Sequence, residues 1–193
     1  MSSVVISGDT SGTITVAAPA VAGSNTLTLQ AATATNSVNT LATAVASTSG
    51  TSIDFTGIPS WVKRISINFQ GVSTSGINFV IVQLGTGSTT YTTSGYLGAV
   101  NSSNSITNQT TGFGVIGQPT AANVLHGTAT ISNITGNNWV YAGTIYLSNT
   151  AGGGGGAGSV SLGAALTAVR ITTVGSPPTD TFDAGSINIL YEG

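Results

Sequence analysis

The chain has few side chains able to move a proton or hold a charge. Its one histidine is His126, its five acids are Asp9, Asp54, Asp180, Asp183 and Glu192, and its three bases are Lys63, Arg64 and Arg170. A Ser-His-Asp arrangement would have to use His126, yet no serine lies in a Gly-x-Ser-x-Gly turn. His126 precedes Gly127-Thr-Ala-Thr-Ile and is expected to start a strand in a structural or surface role. Asp180 and Asp183 sit three apart in Asp-Thr-Phe-Asp-Ala-Gly. Two carboxylates at that spacing could contribute to a calcium site of six to eight oxygens. The plainer expectation is that they cap a turn and pair with Arg170 or Lys63. Gly112-Phe-Gly-Val-Ile-Gly117 matches the dinucleotide pattern Gly-x-Gly-x-x-Gly, but Gln118-Pro119 follows where a helix should begin. It reads as a strand that carries glycines. The sequence therefore predicts no catalytic residue, metal site or cofactor, and a protein that is not an enzyme. A capsule depolymerase would be hard to build from so few titratable groups.

Binding chemistry is better represented. Tyr91, Tyr96, Trp139, Tyr141 and Tyr146 lie among Asn, Ser and Thr residues. Apolar stacking beside amide and hydroxyl hydrogen bonds is a way to hold sugars. Tyr91, Tyr96, Trp139 and Tyr141 are the glycan-binding candidates, against the alternative that these rings pack in the core or at sheet edges. Asn101, Asn108 and Asn133 begin Asn-x-Ser/Thr sequons, which arise by chance in such a composition.

Those residues must be positioned by strands. Charged residues make up 4% of the 193-residue chain, against roughly 25% in ordinary domains. There are 32 Thr, 24 Ser and 27 Gly, and hydrophobic residues make up 40%, so the chain is neither a disordered polar chain nor helix-rich. Three basic residues cannot neutralise a phosphate backbone or hold an anionic membrane surface, so neither nucleic acid nor membrane is expected as a partner. No cysteine is present, which excludes disulfides and thiolate metal sites. Met1 to Asp9 lacks the basic start and apolar core of a secretory signal, and no apolar run is long enough for a spanning helix. The expectation is synthesis in a host cytoplasm without a signal peptide.

The clearest strand is Val62 to Gln70, where Ile65, Ile67 and Phe69 alternate with Ser66, Asn68 and Gln70 after the Gly57-Ile58-Pro59-Ser60 turn. Asp54 is expected to pair with Lys63 or Arg64 across that turn, and Trp61 to cover the sheet beside it. Residues 1–30 hold three short strand-like pieces, at 3–6, 13–17 and 26–29, too short to bury a core alone, and read as a leader or shaft. Residues 31–50 read as a low-complexity linker, or as a short trimeric neck helix through the spacing of Val38, Leu41 and Val45. Residues 51–193 read as one domain. Its strands are expected at 52–55, 62–70, 78–84, 91–97, 112–116, 126–134, 139–147, 168–174 and 186–191. One hairpin is expected at Gly136-Asn137-Asn138 and another joining 170–174 to 186–191. The segment Ala151–Gly158, with five consecutive glycines, reads as a mobile surface loop. The fold class is all-β: a strand-rich leader, then an antiparallel two-sheet sandwich of jelly-roll type. Leader strands that need partners predict a homotrimer.

The leader from Ser7 to Leu29 is similar to modules of tail-fibre-like structural proteins of tailed bacteriophages and prophages. The resemblance continues through Thr51-Ser-Ile-Asp-Phe-Thr-Gly-Ile-Pro-Ser-Trp-Val-Lys-Arg-Ile, Thr111-Gly-Phe-Gly and His126-Gly-Thr-Ala-Thr. It closes with Val169-Arg-Ile-Thr-Thr-Val and Asp180-Thr-Phe-Asp-Ala-Gly-Ser-Ile-Asn-Ile-Leu-Tyr-Glu. The chain departs from that pattern in its uncharged middle and its five-glycine run. The resemblance implies a virion component on a tail, collar or capsid surface, with other virion proteins as partners. A fibre or appendage attaching to host-surface glycan is the first expectation. A capsid decoration protein is the alternative, and an exported bacterial adhesin a further one.

Overall fold

The computed structural model describes residues 3–7, 13–17 and 39–193, apart from 103–104, 118–119 and 122. Two compact units divide at residues 36 and 37. In the first, β1 (Ser3–Ser7) pairs antiparallel with β2 (Thr13–Ala17), with Val5 opposite Thr15. The third expected leader strand, at 26–29, lies outside the described residues.

The second unit contains thirteen strands in two antiparallel sheets. They are β3 (Asn39–Leu41), β4 (Val45–Ala46), β5 (Ser52–Thr56), β6 (Arg64–Thr74), β7 (Val80–Gly85), β8 (Leu97–Ser102) and β9 (Ser105–Gln109), followed by β10 (Phe113–Ile116), β11 (Leu125–Thr135), β12 (Asn138–Leu147), β13 (Gly153–Ser161), β14 (Ala168–Thr173) and β15 (Phe182–Glu192). No helix occurs among the described residues. The larger sheet runs β3-β15-β6-β11-β12-β13-β8-β9, with β4 also on β15, and the smaller runs β10-β7-β14-β5. The expected all-β fold with two antiparallel sheets is what the chain adopts.

Alternation explains the packing. In β6, Ile65, Ile67 and Phe69 are buried and continue across the sheet into Ile131 and Ala129 of β11 and into Ile189 and Ile187 of β15. Ile53, Phe55, Val82, Leu84, Val169 and Ile171 of the smaller sheet share one core with them. Each such side chain stabilises the fold by roughly 1.5–3 kcal/mol when fully buried. The hairpin at residues 136–138 is present, and Gly136 takes the positive φ of 52° that its turn requires.

Four expectations are corrected. Residues 39–41 and 45–46 of the expected linker are strands of the larger sheet, paired with β15, and Leu41 and Val45 are not helical. Val38 lies outside the described residues. Residues 170–174 and 186–191 do not form a hairpin: β14 and β15 lie in different sheets, and the segment between them crosses from one to the other. The segment 91–97 holds only a single bridge, Tyr91 to Gly85, and the strand begins at Leu97.

The largest correction is the glycine run. It is not a surface loop but part of β13, an interior strand paired with β12 along its length and with β8 from Gly156 to Ser159. Glycine stands there because backbone lies where side chains would be. A Cβ at Gly156 would overlap the carbonyl oxygen of Gly114 in β10, one at Gly155 the carbonyl oxygen of Gly143, and one at Gly114 the side chain of Val100. At Gly114 and Gly156 the small sheet is thus pressed onto the large one backbone to backbone, while Gly155 meets the backbone of its neighbouring strand β12.

Gly156→Ala should cost about 1–3 kcal/mol, as overpacking does, and lower the urea midpoint. Gly163→Ala, where nothing lies within 4 Å of the new Cβ, should leave that midpoint in place.

Candidate functional site

Three of the four aromatic candidates for glycan binding are buried. Tyr96, Trp139 and Tyr141 point between the sheets. The Phe113 ring meets Tyr96 edge-on at 4.9 Å and lies parallel to Tyr141, also at 4.9 Å, so the three form one stack beside the glycine seam. The Leu84 N–H donates to the Tyr96 hydroxyl oxygen at 2.8 Å, whereas the Tyr141 hydroxyl and the Trp139 indole N–H have no partner. These three rings cannot stack on a sugar, so Tyr96, Trp139 and Tyr141 are overturned as surface candidates. Alternation turns Trp139 and Tyr141 of β12 inward, and Tyr96 lies buried just before β8.

Tyr91 is half-buried on the outer side of the smaller sheet. The Arg170 guanidinium lies 3.9 Å from its ring centre. Arg170 donates through Nε and Nη2 to the two Asp54 oxygens at 2.8 and 2.7 Å. Burial raises the Tyr91 pKa, and the bond to the Asp54 carboxylate raises that of Arg170. One face of Tyr91 is therefore occupied by the chain's own cation. Asp54 pairs with Arg170 on the neighbouring strand rather than with Lys63 or Arg64, because the register sets Arg170 directly opposite it. Arg64 pairs with Glu192 across β6 and β15. Trp61 is half-exposed and tilts against Tyr191, 6.0 Å away.

The Asp180 carboxylate is buried and accepts from the Asn78 backbone N–H and side-chain amide, both at 2.8 Å, while Asp183 accepts from the Ser73 hydroxyl. Neither pairs with Arg170 or Lys63: Asp180 fastens the loop at Asn78, whereas Asp183 lies within β15 and bonds Ser73 of the neighbouring β6 rather than capping a turn. Among the described residues no group of three or more His, Asp or Glu side chains gathers. Gly112–Gly117 is a glycine-bearing strand, β10 with its flanks. Asn133 donates its amide to the Gly136 and Asn138 carbonyls and thereby closes the β11–β12 turn.

The accessible site is the outer face of the larger sheet. Its registers align Asn188, Asn68, Thr128 and Thr144 in one row, and Ser186, Gln70, His126 and Tyr146 in the next. Tyr146 is 64% exposed, and its ring lies flat over Gly153, where a Cβ would overlap it. The rows offer amide and hydroxyl donors and acceptors at the spacing of neighbouring strands, about 4.8 Å, with an open aromatic ring at one end. That combination suits a polyhydroxylated chain lying on a surface. The sequence grouped Tyr146 with Tyr141 among the aromatic residues near amides, although their spacing separates them. They stand five apart in one strand of unbroken register, so period two sets them on opposite faces, Tyr141 inward and Tyr146 outward.

No protein family, curated protein or solved structure matches the chain.

Burial pushes the Tyr96 pKa up to about 12 from its ordinary 10.0 and raises that of Tyr141 as well. Both are protonated in the folded and unfolded chain below pH 10, so they leave stability unchanged there. Above it the unfolded chain ionises first, and stability should fall by about 1.4 kcal/mol per pH unit per tyrosine up to the folded pKa. Denaturant titrations from pH 8 upward should show that fall. Tyr141→Phe, which removes a hydroxyl without a partner, should reduce the slope by about one tyrosine's share and leave neutral-pH stability intact.

Proposed function

We propose that this chain is a structural protein of a bacteriophage particle, a fibre or appendage component that attaches to host-surface glycan without catalysis. It works as a homotrimer beside other virion proteins, on a tail, collar or capsid surface. The observation that carries this reading is the polar half of the larger sheet. On β6, β11 and the end of β12, exposed Asn68, Gln70, Thr128 and Thr144 are ranked in register beside Tyr146, with half-buried Ser186 and Asn188 of β15 in the same rows. Such a surface gains by shape and many neutral hydrogen bonds, not by charge, and a rigid ladder loses little entropy on binding. The same face has no ionic attraction to nucleic acid or anionic lipid. The resemblance of the leader and of the Thr51–Ile65 and Asp180–Glu192 stretches to tail-fibre-like proteins supports the same reading.

Tyr146→Ala should weaken binding to host-envelope polysaccharide about tenfold, or ~1.4 kcal/mol, measured with purified protein by surface plasmon resonance. Unchanged binding would remove the polar half from the reading. Electron cryo-microscopy of the particle should place the chain on an appendage. A copy for each capsid subunit would instead make it a decoration protein.

A further inference from the structure

We propose that the other half of the same sheet, formed by β12, β13, β8 and β9, is the surface through which copies of this chain pack on one another. The inference locates the contact of the oligomer proposed above; it does not rest on glycan as the ligand. Leu97 and Ile106, on β8 and β9, are 75% and 74% exposed, and Ile134 at the end of β11 is 63% exposed. Between them the outward positions are small: Val140 and Ala142 on β12, Ala157 and Ser159 on β13, and Ala99 on β8. Two hollows open among these residues. One, of about 390 Å³, lies beside Leu97, Ile134, Val140 and Ser159, and the other, of about 330 Å³, beside Ala99, Ile106, Gly155 and Ala157. The face therefore carries aliphatic protrusions next to apolar hollows able to receive them, the self-complementarity that closed assemblies of identical chains need.

Charge selects the occupant. No Asp, Glu, Lys or Arg occurs from Ile65 to Val169, which covers all four strands. A charged partner laid on this face would lose hydration and find no counter-charge. A second copy of the same face brings none. The edge argues the same way. Among the described residues β9 pairs only with β8, so it ends the sheet with a row of free N–H and C=O groups. Its residues, Ser105-Ile-Thr-Asn-Gln109, include no lysine, proline or acid of the kind that guards exposed edges. An unguarded edge that continues into an apolar, uncharged face is built to be covered. The polar half, with Tyr146, stays free on the same sheet.

The test uses the full chain in analytical ultracentrifugation. The wild type should sediment as an oligomer, a trimer on the reading above. Leu97→Asp and Ile106→Asp should each raise the dissociation constant at least a hundredfold, because each would bury an unpaired charge. Both positions face outward, so both variants should keep the wild-type far-ultraviolet spectrum. Thr56→Asp, on the exposed edge strand of the other sheet, should leave the mass unchanged. Amide exchange at 105–109 should be slow in the oligomer and fast in Leu97→Asp. A monomeric wild type would overturn the proposal, and so would an oligomer whose mass survives both aspartates. Loss of glycan binding in Tyr146→Ala with the oligomer intact tests the attachment reading separately.

Discussion

The close backbone approach at Gly114 and Gly156 governs this structure. Where most sandwiches hold their sheets apart with interleaved side chains, here a strand of the small sheet lies against a glycine strand of the large one. The approach leaves room for the rings on either side. Phe113 fits between Tyr96 and Tyr141 because Gly143 beside Tyr141 and Gly158 beside Phe113 put no carbon in their way. The aromatic side chains that might have served a surface are spent on closing the sandwich.

Scarcity of charge is the second constraint. The Arg170–Asp54 and Arg64–Glu192 pairs join neighbouring strands, and the Asp180 and Asp183 carboxylates fasten the segment that crosses from β14 to β15. The outer surface of the larger sheet is left to neutral groups. It divides along the sheet into a ladder of amides and hydroxyls on β15, β6 and β11, and a smooth apolar part on β12, β13, β8 and β9. A single sheet can thus offer two neutral surfaces of different chemistry: one suited to hydrogen-bonding a hydroxylated polymer, the other to excluding water against its own copy.

On the proposed reading, this division separates attachment from assembly. Sugars bind weakly per residue, and repeated copies raise the strength of attachment through effective concentration, without any new contact. A protein with so few charges gains little from electrostatic steering, so in the proposed role multiplicity and a rigid sheet are its means of holding a partner. A face that assembles copies while leaving the ladder outside would serve that end.

Much of the fold was legible in the residues. Period two in Ile65, Ile67 and Phe69 marked β6 and its buried face, Gly136-Asn137-Asn138 marked the hairpin, and the Thr, Val and Gly content marked an all-β chain. The candidate site was far less legible. Period two already sets Tyr141 and Tyr146, five apart in β12, on opposite faces, but alternation does not say which sheet the buried face meets. Nor can it say that 170–174 and 186–191 part into different sheets, since a connection of that length permits either course. A glycine run has no side-chain pattern at all, and flexibility was its natural reading. Only the tertiary structure, by bringing the Gly114 and Gly143 carbonyls against it, made the missing side chains a packing requirement. The sequence by itself determined the class of structure, because strand period and composition are local properties. The tertiary structure decided the surface, because exposure depends on which distant strand comes to lie against each face.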